Sequence, residues 1–316
     1  MDLRNAMKKT ISGYITLFYT FGLIKTIKFM ISWYYGQFQL RGKDLTKENT
    51  IITNDCLLHL IPNDKGISYE LLKFKIHEPI TTKILKNKLK EGMVCFDIGG
   101  NIGYYVTLEN KLVGKNGKIL VTEPSPTNRK YLEKNVLAQG TNNIEIFDFA
   151  CGDYDGITKF SISKFSNYSQ VFDEKKFSNA DEVINIPIRK LDTFLAEKNI
   201  TKLDFIRMDI EGYELNVIEG AKECIKKFKP MVQIELHVGK LGIINVEKIL
   251  RFFKNVGYDR TLFFNAYLDT PMVGSLNDVK IFSLTELIKM LQDELMPRLV
   301  MVFLEYSLVN EENHEF

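Results

Sequence analysis

The sequence predicts an open α/β sheet of the Rossmann-like type, seven strands mostly parallel with one antiparallel, preceded by an N-terminal helical extension and a small β-hairpin. Three observations carry this. An apolar run ending in Asp97 leads into a glycine-rich turn; a second apolar run ends in an acid, Glu123, 26 residues later; and strand-like and helix-like segments alternate from there to the C-terminus.

Taken in order, residues 1–48 read as an apolar, basic helical extension. Residues 1–43 carry seven Lys or Arg against Asp2, a balance of +6 that leaves −4 for the rest of a chain of net charge +2. The longest charge-free run, Thr10 to Ile24, is 15 residues. That is shorter than the roughly 18 to 20 that span a bilayer, and Lys25 and Lys28 would fall at mid-membrane. No small-residue cleavage site follows, which argues against a signal peptide. Two readings stay open for residues 10–40. One is peripheral contact with the inner membrane face, with Trp33 and the neighbouring tyrosines at headgroup level. The other is packing on the domain or on a second copy in a homo-oligomer.

Residues 49–90 read as a β-hairpin and a helix. Thr50 to Leu60 and Gly66 to Leu72 are expected as paired strands around Pro62-Asn63-Asp64-Lys65, and Glu78 to Leu89 as the helix. Residues 91–310 should hold the sheet. Met93 to Phe96 and Lys118 to Thr122 are its first strands. Ser125 caps a helix that has Pro126 at its first position and Gly140 beyond its end. Ile144 to Phe149 is a third strand, and Leu203 to Met208 and Met231 to Leu236 are the fourth and fifth. Tyr213 to Lys227 forms an amphipathic helix between those two. Asn245 to Lys254, Tyr258 to Asn265, a capping box at Ser283-Leu284-Thr285-Glu286, and Leu299 to Val309 complete the fold, the last strand running antiparallel. Residues 311–316 form a loose tail.

Composition fits such a domain, with 45% hydrophobic and 26% charged residues. Cys56, Cys95, Cys151 and Cys224 form no C-x-x-C pair and read as reduced and buried, which suggests an intracellular, cytoplasmic protein. The slightly acidic body disfavours nucleic acid as a partner.

The loop chemistry points to a cofactor. Gly99 and Gly103 allow a tight turn and close backbone approach, and Asn101 and Tyr104 complete the candidate contacts. Asp97 at the entrance would repel the pyrophosphate that dinucleotide loops cradle, and the spacing D-x-G-x-N-x-G is not G-x-G-x-x-G. A cationic ligand with no phosphate, S-adenosyl-L-methionine, suits the loop better. Glu123 stands where an α/β fold places the acid that grips a ribose diol, with Ser125 beside it. Ala150, Cys151 and Asp153, after the third strand, are candidate contacts to an adenine, although Asp-Tyr-Asp-Gly is also ordinary turn chemistry.

The series Asp97-Ile-Gly-Gly-Asn-Ile-Gly-Tyr-Tyr105, Glu123-Pro-Ser-Pro126, Leu203-Asp-Phe-Ile-Arg-Met-Asp-Ile-Glu-Gly-Tyr-Glu-Leu-Asn-Val-Ile-Glu-Gly-Ala221 and Ile234-Glu-Leu-His237 resembles the FkbM-type family of S-adenosylmethionine-dependent methyltransferases. The resemblance covers about Ile84 to Val238. It departs at Gly100, where the family more often has Ala. It implies a class I methyltransferase fold and an activity on hydroxyls of sugars, glycans or secondary metabolites.

Asp209 and Glu211 follow the fourth strand, and Glu235 and His237 alternate onto one side of the fifth, so the four should cluster at the sheet's C-terminal edge. Methyl transfer to a hydroxyl needs a proton acceptor, for which His237 or a desolvated carboxylate would serve. The same cluster could instead hold a hard divalent cation such as Mg²⁺, the weaker of the two readings. No Pro-Pro loop or Pro-Cys nucleophile points to nitrogen or carbon acceptors. The expected activity is therefore O-methylation of a small-molecule, glycan or lipid-linked hydroxyl. The opposing reading is a non-catalytic cofactor-binding module docked through its N-terminus. The polar stretch Lys164 to Asp181 and residues Leu268 to Asp278 are candidate substrate loops.

Overall fold

The computed structural model describes residues 11–163, 166, 169–171 and 182–306, residues 11–14 by their backbone alone. Most of the stretch 164–181 and the tail 311–316 thus lie outside the described residues.

The extension is helix α1, Ile11–Gln39, interrupted at Gly22, whose φ of 78° and ψ of 174° leave the helical region. A hairpin follows, β1 Asn49–Thr53 and β2 Cys56–Leu60, closed by Asn54 and Asp55, both at positive φ. That two-residue turn is of the primed type, which matches strand twist. The expected second strand at Gly66 to Leu72 is instead a helix, Ile67–Phe74. Its buried Ile67, Leu71 and Leu72 recur at helical spacing, and the Asp64 carboxylate accepts the N–H groups of Gly66 and Ser68 at 2.8 and 3.1 Å. A second helix, Pro79–Lys88, leads into the sheet.

Along the chain, the strands are β3 Val94–Ile98, β4 Lys118–Thr122 and β5 Ile144–Phe147. Then come β6 Ala150–Cys151, β7 Gly156–Ile162, β8 Gln170–Val171 and β9 Glu182–Arg189. The last are β10 Phe205–Met208, β11 Met231–Leu236, β12 Tyr258–Asn265, β13 Lys280–Phe282 and β14 Val300–Tyr306. Among the described residues the main sheet has the order β13-β12-β14-β11-β10-β3-β4-β5. Strands β5, β4, β3, β10 and β11 are parallel, β14 is antiparallel to both neighbours, and β12 therefore runs with the parallel set. The seven expected strands are present, and an eighth, β13, covers the edge that β12 would otherwise leave bare.

Two further expectations are corrected. The third strand stops at Phe147, and Ala150–Cys151 joins a separate four-stranded sheet of order β6-β9-β7-β8. The helix from Tyr213 to Lys227 is broken into Glu214–Glu219 and Lys222–Phe228. The break lies where a Cβ on Gly220 would sit 1.9 Å from the carbonyl oxygen of Gly152, while the Asp192 carboxylate accepts the N–H groups of Glu223 and Cys224 that open the second piece. Gly220→Ala is expected to cost about 1 to 3 kcal/mol through this overpacking, read as a lower urea midpoint with an unchanged m-value. Ile51, Leu58, Leu71 and Ile84 share one core with Cys95, Tyr105, Ile119 and Phe205 of the sheet domain.

The chain crosses from one side of the sheet to the other between β3 and β10, so their C-terminal ends form the crevice where open α/β sheets bind ligands. The backbones touch there. A Cβ on Gly99, at φ 89°, would lie 2.7 Å from the Asp209 carbonyl oxygen, which only glycine permits. The four cysteines are free and buried.

Candidate active site

One cavity of about 1000 Å³ occupies this crevice. Of the residues expected at the site, Gly99, Asn101, Tyr104, Glu123, Ala150, Cys151, Asp209, Glu211 and Glu235 line it. Asp97, Gly103, Ser125, Asp153 and His237 do not.

At one end lies Glu123, 4% exposed, its two oxygens accepting the N–H groups of Asn101 and Ser125 at 2.8 Å each. Burial pushes its carboxyl up to about 8, against the pull of those two N–H groups. Glu123 directly follows β4, at the C-terminal end of the parallel strands. Ser125 is a helix cap, its hydroxyl accepting from the Asn128 N–H at 3.4 Å. Gly103, at φ 91°, begins the helix Tyr104–Val113. The Tyr104 hydroxyl meets Thr82 Oγ1 at 3.0 Å and accepts from Asn54 Nδ2 at 3.2 Å. Asp153 stays in a surface turn, which its sequence context equally predicted.

Asp97 requires a correction. It is fully buried beneath the cavity floor, bound through Oδ1 to Arg207 Nη1 at 3.1 Å. Arg207 Nη2 reaches Asp209 Oδ2 at 3.2 Å, and its guanidinium lies 4.1 Å from the Tyr105 ring centroid. The charge at the loop entrance is thus already matched, and the carboxylates that line the cavity here are Glu123, Asp209, Glu211 and Glu235. Arg207 was missed; the signal was a lone basic residue in the otherwise apolar β10. Glu109, also fully buried, lies near this group, and burial followed by the Asp97 charge raises its carboxyl well above the ordinary range.

At the other end, Glu235 in β11 and His237 just beyond it point together. His237 Nε2 lies 3.1 Å from Glu211 Oε2 and 3.4 Å from Glu235 Oε2, while Nδ1 lies 2.7 Å from Glu214 Oε1. Glu214, fully buried in the first helical turn, also accepts the Gly212 N–H at 2.9 Å. Burial would lower the His237 pKa, but the Glu235 and Glu214 charges outweigh it and raise it well above the usual value. Glu235 is raised well above the carboxylate range by burial and then by Asp209. Glu211, at φ 58° without being glycine, is bonded by Lys240. Ligand atoms of Asp209, Glu235 and His237 fall within 4.8 Å of one another.

The cavity continues under α1, whose Leu17, Phe29, Ser32 and Trp33 form part of its wall, and past His77 and Glu78. His77 sits 3.1 Å from Glu70 and 3.4 Å from Glu78. Burial opposes its charge, but these two carboxylates raise its pKa to about 10.

Residues 97–260 match the Methyltransferase FkbM domain, about half of the chain, and the chain belongs to that family. It is 24% identical over 209 residues to the 2-O-methyltransferase NoeI of Sinorhizobium fredii (strain NBRC 101917 / NGR234), covering 61% of this chain and 83% of that protein. It is 23% identical over 141 residues to Methyltransferase 1 of Beauveria bassiana (strain ARSEF 2860), covering 39% of this chain and 56% of that one. Among solved structures it is similar to Methyltransferase FkbM from Methylobacillus flagellatus KT, at TM-score 0.44 and 16% identity, covering 75% of this chain and 53% of that chain.

Proposed function

We propose that this FkbM-family methyltransferase moves a methyl group from S-adenosylmethionine to a hydroxyl oxygen of a sugar, glycan or lipid-linked saccharide. The observation that carries it is one continuous cavity holding a ribose-type acid, Glu123, at one end and the paired carboxylates Glu211 and Glu235 at the other. The similarity to a 2-O-methyltransferase supports the choice of oxygen.

The cofactor would supply an electrophilic methyl on a sulfonium. Glu123 would hold its ribose diol, the bare backbone at Gly99 and Gly100 would admit it closely, and Ala150 and Cys151 would border the base. At the acceptor end, Glu235 lines the cavity, and burial together with the Asp209 charge raises its pKa, which makes its ionised form the stronger base. Glu211, bridged by Lys240 and His237, would orient the acceptor hydroxyl. His237, buried behind both and carrying a raised pKa, becomes a positioning residue here, in place of the general base that its sequence position suggested.

This chemistry asks for no divalent cation, and the donor set does not fit Mg²⁺ well. Asp209 is engaged by Arg207, and His237 offers a nitrogen where Mg²⁺ prefers oxygen.

Because Glu123 is held at about 8 in the free protein, hydrogen bonds from a ribose diol favour its ionised form, and binding releases a proton. Affinity for S-adenosylhomocysteine should therefore rise from about pH 6 to about pH 8 and then level. Calorimetry in buffers of different ionisation enthalpy checks this, and an affinity flat from pH 6 to pH 9 would remove Glu123 from the ribose site. Turnover is tested by S-adenosylhomocysteine release with candidate saccharides; tight cofactor binding without release on any hydroxyl compound favours the non-catalytic reading.

A further inference from the structure

Helix α1 is built inside out for a surface helix in water. Its outward side carries Leu23, Ile27, Ile31, Tyr34 and Phe38, spaced so that they share one helical face, with Ile15, Phe18, Tyr19, Ile24 and Tyr35 beside them. All ten are exposed, Ile24 at 73% and Tyr19 at 83%. Its polar groups point the other way, into the protein. Lys25 Nζ pairs with Asp278 Oδ2 at 2.6 Å, Lys28 Nζ reaches the Val273 carbonyl oxygen at 3.4 Å, and Ser32 Oγ donates to the Pro271 carbonyl oxygen at 2.7 Å. Leu17 and Phe29 pack on Val273, and Tyr35 stacks on Phe74.

We propose that this face docks the protein flat on the surface of an anionic lipid bilayer. Three features select that occupant. A contiguous apolar face of this extent is larger than the scattered surface hydrophobics of a soluble domain. The helix contains no acidic residue, and the sequence sets Arg4, Lys8 and Lys9 before it and Arg41 after it, the sign that complements phosphatidylglycerol or phosphatidylserine headgroups. Tyr19, Tyr34 and Tyr35 are exposed along its length, the amphipathic rings that settle at headgroup depth.

By length and composition alone, residues 15–39 suffice to cross a bilayer. The geometry argues for lying along it. The inner face is tied to residues 271–278 at both Lys25 and Ser32, and Gly22 breaks the helix, so a crossing would tear polar groups from their partners into hydrocarbon. In the docked orientation the cavity wall formed by Phe29, Ser32 and Trp33 lies next to the membrane, which suits an acceptor carried on a lipid. Docking itself does not rest on the methyl-transfer reading.

The test is sedimentation of the full chain with vesicles. The wild type is expected in the pellet with vesicles of equal parts phosphatidylglycerol and phosphatidylcholine, and largely in the supernatant with phosphatidylcholine alone or at high salt. The double variant Ile27→Glu/Ile31→Glu, both positions exposed and therefore not fold-determining, should bind the anionic vesicles at least about tenfold more weakly with an unchanged thermal melt. Alkaline carbonate should release the bound wild type. Wild-type protein that ignores anionic vesicles overturns the proposal, as does protein that resists carbonate, which would mean a span. A wild-type dimer that the double variant splits, without any vesicle binding, assigns the face to a second copy instead. Failure in any of these ways leaves cofactor binding, measured separately by calorimetry, where it stands.

Discussion

Arg207→Ala is expected to destabilise the fold by about 3 to 5 kcal/mol, because it removes one partner from a buried ionic group and leaves the others behind. Arg207 is 4% exposed and Asp97 not at all, and Glu109 lies close by with neither carboxyl oxygen hydrogen-bonded. Burial opposes the guanidinium charge, but Asp97 and Asp209 together outweigh it and raise its pKa. Without Arg207, Asp97 would either stay charged in an apolar setting or take up a proton, and the second route makes the loss grow as pH rises. The ionic group also fixes the ends of β3 and β10 against each other at Asp97 and Asp209, so cofactor affinity should fall along with stability. Urea unfolding measures the first effect. Arg207→Met combined with Asp97→Asn removes most of the unmatched charge and should recover part of the loss, whereas a single-variant cost under about 1 kcal/mol would show that the pair is no more than a solvated bridge.

Glu235→Gln should reduce kcat by about 10² to 10⁴ while leaving S-adenosylhomocysteine affinity within about twofold, the signature of a lost proton acceptor rather than a lost binding group. Glu235 is chosen over its neighbours on geometry. It lines the cavity, it is unmatched by a lysine, and its carboxyl is raised by burial and by Asp209. Gln keeps the shape and removes the basicity. For the wild type, kcat should rise with pH as Glu235 gives up its proton, and that limb should vanish in the variant. His237→Asn is expected to act differently: His237 touches Glu211, Glu214 and Glu235 but not the cavity, so its loss should disturb the carboxylates' arrangement and raise KM as well as lower kcat. Equal activity in Glu235→Gln and wild type would move the proton acceptor to Glu211.

The central sheet was legible because its signals are local and redundant. Apolar runs with a period of two or none gave β3, β4, β10, β11 and β12, and Ser125-Pro126 and Ser283 capped helices where capping chemistry predicts. What misled was competition between signals of similar strength. Residues 66–72 contain β-type and helix-type apolar spacing at once, and the deciding contact was the Asp64 carboxylate on two backbone N–H groups, a three-residue interaction hidden from a periodicity argument. Gly220 looked tolerable inside a helix until the Gly152 backbone arrived from a distant turn.

The site shows the same division. Glu123, Glu211 and Glu235 came from strand-end placement, which the topology guarantees. The role of Asp97 did not, since whether an acid faces a ligand or a buried arginine depends on which way one side chain turns at the end of β3. The charge expected to guard the entrance is real, but it is spent on Arg207, and the acidic character of the cavity comes from residues further round its rim. Lys240 and His77 were equally hidden, each brought in by a loop or helix outside the recognised motifs.

A crystal structure of the protein with S-adenosylhomocysteine bound tests the central claim most directly. The account predicts the ribose hydroxyls on the Glu123 carboxylate, the sulfur directed toward Asp209 and Glu235, and the remaining volume open toward α1. A ligand whose ribose avoids Glu123, or whose sulfur faces away from the Glu211 and Glu235 carboxylates, would contradict it.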